Sequence, residues 1–151
     1  MALEQSKTVN QHARNILEWF TRARERLQLF PYRCPSGKLT IGYGHNLDAK
    51  GIPPSVADLL FQYDLNDADR DARAALPFLD TLDPVRQAAF TDMAFNMGRA
   101  ALKTFKVAIA AAERGDWPAC ATAIELSKYY RQTGDRAKAI VEMIRTGKEP
   151  E

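Results

Sequence analysis

Apolar residues recur at helical spacing in the first part of the chain. Ile16, Leu17, Phe20, Ala23 and Leu27 fall on one side of a helix over roughly residues 9–26, which predicts one buried face. Pro31, Pro35 and Gly37 end helical character. Over residues 32–48 the period changes: Lys38 to Tyr43 alternate, Ser36-Gly37 reads as a turn, and Gly42 and Gly44 permit close backbone approach or a bulge. A short hairpin is expected there. Pro53-Pro54-Ser55 opens a long helix with Val56, Leu59, Leu60, Tyr63 and Leu65 as its apolar stripe. Its second half, with Asp67, Asp69, Arg70, Asp71 and Arg73, reads as solvated until Pro77 stops it. Helices are expected over 83–96, 102–113, 117–126 and 135–145. Asp83-Pro84 supplies a cap and first turn, and Gly98, Gly115 and Gly134 punctuate the ends. A small β-region inside a helical chain is an α+β arrangement.

Composition narrows the class. The chain has 151 residues, enough for a core but not for two independent domains. With 46% hydrophobic and 26% charged residues it reads as globular rather than disordered. A net charge of +2 suits approach to an anionic polymer without requiring one. Arg22, Arg24 and Arg26 cluster, yet no basic helix carries base-reading polar residues, so nucleic acid is not an expected partner. No apolar run is long enough for membrane insertion. The first fourteen residues are polar and mixed in charge, unlike a signal peptide, so the expected location is the cytoplasm before release. Two cysteines outside any metal spacing point to a reducing compartment. His45 has no second histidine or carboxylate cluster near it, so no metal is expected.

The chemistry concentrates in one stretch. Glu25 is followed after eight residues by Cys34 and after five more by Thr40, which opens Thr40-Ile41-Gly42-Tyr43-Gly44-His45. Glu25 lies between Arg24 and Arg26 near a helix C-terminus, where the macrodipole disfavours negative charge, and this suggests a tertiary reason for the acid. Singly, each residue has a bland reading: Cys34 as a small buried hydrophobe, Thr40 as a strand former, His45 as a ring packed under the hairpin and ion-paired with Asp64, Phe95 as core. Gathered around one turn, a carboxyl, a thiol and a hydroxyl can protonate a leaving group while holding a water.

This spacing resembles the active-site signature of the phage-type lysozymes, or endolysins, of glycoside hydrolase family 24, in which the second position is Asp or Cys. Leu82 to Arg86 with Met93 to Gly98 resemble that family's central helix, Trp117 the start of a later one, and Tyr129 to Lys138 with Arg145 to Gly147 its C-terminal pair. The resemblance runs from about residue 16 to 147. It implies a mostly helical, lysozyme-like α+β fold. An N-terminal lobe with a short β-hairpin sheet covers about residues 15–60, a bridging helix about 54–76 and a helical lobe about 77–151, with residues 1–14 as an extension.

The resemblance further implies a monomeric, cofactor-free enzyme acting on bacterial peptidoglycan. It would hydrolyse, with inversion, the β-1,4 bond between N-acetylmuramic acid and N-acetylglucosamine, and a holin or other route would release it. Glu25 becomes the acid for the glycosidic oxygen, partly buried so as to hold its proton. Cys34 and Thr40 position the water; an ordinary thiol, with a pKa of ~8.5, is only slightly ionised near neutrality, which favours orientation over deprotonation. Arg136 is expected to pair with Glu25 across the cleft. Phe95 would stack on a sugar, Asn96 would bond the glycan, and Gln132 and Thr133 would contact peptide or sugar from a loop. Cys120 is expected to be buried without a disulfide to Cys34. Family members commonly carry Gly after the acid, so Arg26 predicts a slightly longer helix. Three other functions remain open: a lytic transglycosylase using the acid alone, a cysteine amidase using Cys34 and His45, and a non-catalytic wall- or nucleic-acid-binding protein. Thr40 beside Cys34 favours a water-using enzyme, and the Arg33-Cys34-Pro35 setting, which opens no helix, disfavours the amidase.

Overall fold

Asn10 starts the first helix. Its side-chain oxygen accepts from the His12 N–H at 2.9 Å, and α1 (Gln11–Arg24) runs on from there in the computed structural model, which describes residues 10–150. Of the expected N-terminal extension, residues 1–9 lie outside the described residues, and 11–14 form the first turn of α1. The helix ends earlier than Arg26 predicts. Glu25 is its C-cap, with extended backbone (φ −87, ψ 113) and its N–H bonded to the Thr21 carbonyl at 2.8 Å. The chain must be extended by Gln28, which pairs with Gly42, so the helix has no room to continue.

The expected hairpin is a three-stranded antiparallel sheet in the order β1 (Gln28–Arg33), β2 (Leu39–Gly42), β3 (His45–Asn46). β1 begins four residues before the expected strand region, which opens at Tyr32. Pro31 conceals it: the ring has no N–H to give, and the β1–β2 register is irregular between Gln28 and Tyr32. Proline is tolerated because β1 is an edge strand. A short helix, α2 (Leu47–Lys50), follows. Asn46 caps it, and the Asp48 carboxylate accepts from the Leu39 N–H at 2.8 Å, tying α2 to β2.

α3 (Pro54–Ala75) contains the boundary between two compact units, the first ending at Ala57 and the second beginning at Asp58. Burial in α1 and α3 differs from the reading of their stripes. Ile16, Leu17 and Phe20 are exposed, as are Val56, Leu59, Leu60 and Tyr63. β1, with Gln28, Pro31 and Arg33, offers no regular apolar face to cover α1. In α3 the buried positions are Ala68, Ala72 and Ala75, in the half that reads as charged. Alanine carries little hydropathy signal among aspartates, yet these three recur at helical spacing and join the core with Phe90 and Met93.

The second unit continues with a 3-10 turn at Leu79–Thr81, then α4 (Pro84–Leu102), α5 (Lys106–Glu113), α6 (Trp117–Glu125), α7 (Lys128–Thr133) and α8 (Asp135–Thr146). Asp83 caps α4 as expected, accepting from the Arg86 N–H at 3.0 Å. Gly98 breaks α4 internally (φ 76, ψ 165), and a turn at 102–105 delays α5 until Lys106. Gln132 and Thr133 lie on α7 rather than in a loop, because Ser127 caps that short helix through the Tyr130 N–H. Leu76, Leu79, Phe90, Met93, Leu102, Ile124 and Ile144 fill the core.

Arg86 ties this unit together. Its guanidinium bonds Asp83 at 2.7 Å, donates to the Ile144 carbonyl at 2.8 Å near the end of α8, and lies over the Trp117 ring 4.1 Å from its centroid. Gly147 closes α8 in the left-handed region (φ 68), where a Cβ would stand 2.6 Å from Arg86 Nη1. Gly147→Ala therefore adds backbone strain of ~1–2 kcal/mol and displaces a charged hydrogen bond worth a similar amount. Chemical denaturation should show a loss of about 2–4 kcal/mol; stability equal to the parent protein contradicts this account of Arg86.

Candidate active site

Two turns of the small sheet carry the reactive side chains. The first joins β1 to β2. The Gly37 N–H bonds the Cys34 carbonyl at 2.7 Å, and the Cys34 N–H bonds the Lys38 carbonyl at 3.0 Å. Pro35 presets the turn, and Gly37 supplies the positive φ of 79° that it needs. Arg33 braces it by donating to the Gly37 carbonyl at 2.9 Å. This fold of the backbone brings the Cys34 sulfur 3.0 Å from the Ser36 hydroxyl.

The sulfur is acidified. The Ser36 hydroxyl, opposed by partial desolvation and helped by the Lys38 and Ser36 backbone N–H groups, holds the Cys34 thiol at about 7, below its ordinary value. Thr40, on β2, is only 4% exposed and donates its hydroxyl proton to the Lys38 carbonyl at 3.0 Å. Its oxygen is then left with acceptor capacity only, beside the sulfur.

The second turn joins β2 to β3. Gly44 there adopts a φ of 79°, and a Cβ built on it would meet the Glu25 carboxyl at 3.4 Å. The carboxyl thus packs against a bare stretch of backbone. Glu25 as a residue is exposed, not partly buried as its assigned role suggests, because the helix stops just before it and only this turn covers the side chain. Of the arginines near it in sequence, Arg22 bonds Glu18 at 2.9 Å and Arg24 lies over the Phe20 ring.

His45 has a structural contact in this unit. Its Nε2–H donates to the Gly51 carbonyl at 2.6 Å, closing the loop around α2. Among the described residues no group of three or more His, Cys, Asp or Glu side chains is placed to hold a metal ion, and no helix is long and apolar enough to cross a membrane.

The other candidates lie in the second unit. Arg136, whose suggested partner was Glu25, is gripped by Asp92 through two hydrogen bonds of 2.9 and 2.6 Å. Asp92 carries no signal in the sequence beyond its place one turn before Phe95 on α4. Phe95 is 37% exposed, edge-on to Phe61 and 5.9 Å from the Arg136 guanidinium, so it is a surface ring rather than core. Asn96, Gln132 and Thr133 come together in a cavity of about 490 Å³ with Tyr129, whose buried hydroxyl has no hydrogen-bond partner among the described residues. Neither Tyr129 nor Ser36 carries a signal for a role in the site in the sequence. Cys120 is fully buried, and burial pushes its thiol up to about 11; both cysteines are free thiols.

These environments separate the two thiols in reactivity, because only the thiolate attacks an alkylating agent. Iodoacetamide should modify Cys34 at a rate that climbs with pH and reaches half its plateau near 7. Cys120 should stay unmodified in the folded protein. Peptide mapping by mass spectrometry reads both, and a Cys34 midpoint at 9.0 contradicts the turn's effect.

Comparison with known proteins places the chain among relatives. Residues 22–147 match the profile of the phage lysozyme family. Over 114 residues the chain is 31% identical to the probable T4-type lysozyme 1 of Dictyostelium discoideum, an alignment covering 71% of this chain and 66% of that protein. Over 154 residues it is 30% identical to the pre-baseplate central spike protein Gp5 of Enterobacteria phage T4, covering 83% of this chain and 27% of that protein. The chain thus spans just under two thirds of the first relative and about a quarter of the second.

Proposed function

The chain belongs to the phage lysozyme family, and from that premise we propose that it hydrolyses the β-1,4 bond between N-acetylmuramic acid and N-acetylglucosamine in bacterial peptidoglycan. Glu25 gives its proton to the glycosidic oxygen as the bond to the anomeric carbon breaks. A water attacks that carbon from the opposite face. Its oxygen becomes the new hydroxyl, and its proton passes to the Cys34 thiolate. Net consumption is one water, and solvent exchange returns a proton to Glu25 and removes one from Cys34.

The observation that carries this reading is the placement of both groups along β2. The Glu25 carboxyl packs on the turn that leaves this strand, and the acidified Cys34 borders the turn that enters it, beside Thr40. Thr40 suits an orienting role because its own proton is spent on the Lys38 carbonyl, leaving its oxygen to accept from water. A thiol held at about 7 is roughly half ionised at neutral pH, which favours Cys34 as proton acceptor over mere orientation.

Exposure of Glu25 fits an acid that a bound glycan completes by covering it and excluding water. Phe95 offers an accessible ring for a sugar face. Asn96, Gln132 and the unpartnered Tyr129 hydroxyl offer hydrogen bonds for glycan or peptide stem. The sharpest test of the acid is Glu25→Gln. Because general acid assistance is worth roughly 10²–10⁴ in rate, clearing of permeabilised Gram-negative cells should slow at least several hundredfold. The melting temperature should not fall, since the amide loses no ion pair. Clearing near the parent rate contradicts the assignment.

A further inference from the structure

Resting on the reading of Cys34 as the proton acceptor, we infer that Ser36 is a positioning residue for the reaction: its hydroxyl donates to the Cys34 sulfur and holds it charged beside Thr40. Nothing in the spacing of Glu25, Cys34 and Thr40 requires a residue here. The geometry does. Ser36 is two residues beyond Cys34 in a turn closed by the Gly37 N–H at 2.7 Å, so its side chain returns to the sulfur at 3.0 Å. A thiolate has no proton to give, so in the charged state the hydroxyl must be the donor.

The backbone N–H groups of Ser36 and Lys38 also favour the charged sulfur, and the Ser36 hydroxyl is the side chain in hydrogen-bond contact with it. Charged groups around the turn are Arg33, committed to the Gly37 carbonyl, Lys38, and Asp48, committed to the Leu39 N–H. None of them is among the groups that set the proton affinity of the sulfur, which are hydrogen-bond donors together with partial desolvation. Ser36 heads those donors, so its removal should be felt at the sulfur more than that of any other side chain.

The experiment compares Ser36→Ala and Ser36→Thr with the parent protein by two readouts: the pH dependence of Cys34 alkylation, and the pH–rate profile on purified peptidoglycan. Loss of one hydrogen bond to a charged acceptor should move the alkylation midpoint up by about one pH unit in Ser36→Ala. The acid limb of the rate profile should move with it, lowering the rate at pH 6 about tenfold. Ser36→Thr, which keeps the hydroxyl, should restore both. A purely structural serine would lower the whole profile and the melting temperature without displacing either midpoint. An alkylation midpoint unmoved in Ser36→Ala overturns the inference. A midpoint that moves while the rate profile stays fixed overturns instead the role of Cys34 on which it rests.

Discussion

The close packing of the Glu25 carboxyl on Gly44 is the constraint around which the first unit is arranged. The carboxyl lies at van der Waals distance, 3.4 Å, from where a Cβ on Gly44 would stand, and it is the positive φ of the backbone there that calls for glycine. The helix must also stop at the right residue. α1 ends at Arg24 and Glu25 takes extended backbone, which turns the side chain out of the helix and onto the sheet. Gly42 and Gly44 together let β2 turn into β3, and Asp48 and His45 fasten the chain beyond it. A small sheet with little core of its own is thus held by hydrogen bonds from side chains to backbone.

The two cysteines show how far environment, rather than residue type, decides chemistry. Cys120 is surrounded by the apolar core of the second unit, where a charge is costly, and its thiol is pushed up to about 11. Cys34 occupies a turn whose hydrogen-bond donors point inward, and its thiol is held at about 7. The same logic separates the acid from the arginines. Arg22 and Arg24, near the proposed acid in sequence, each have a local contact, with the Glu18 carboxylate and the Phe20 ring.

Much of the architecture was legible where the sequence carries a local rule. The Asp83-Pro84 cap, the Gly98 break, the Trp117 helix start and the Ser36-Gly37 turn all follow from backbone chemistry that a single residue dictates. What escaped depends on tertiary context. β1 hid behind Pro31, acceptable only because the strand is at an edge. The buried alanines of α3 hid among aspartates, and the end of α1 was set by a strand pairing rather than by Arg26. In the site, the Ser36–Cys34 and Asp92–Arg136 contacts and the unpartnered Tyr129 hydroxyl follow from tertiary placement that no spacing encodes.

Product stereochemistry reaches the central claim most directly, because it reports what attacks the anomeric carbon. Digestion of purified peptidoglycan, followed from the first turnover by proton NMR and mass spectrometry, is expected to release reducing N-acetylmuramic acid ends that appear first as the α-anomer. Anhydro-muropeptides as the main product, or the β-anomer appearing first, would contradict attack by a water held opposite Glu25.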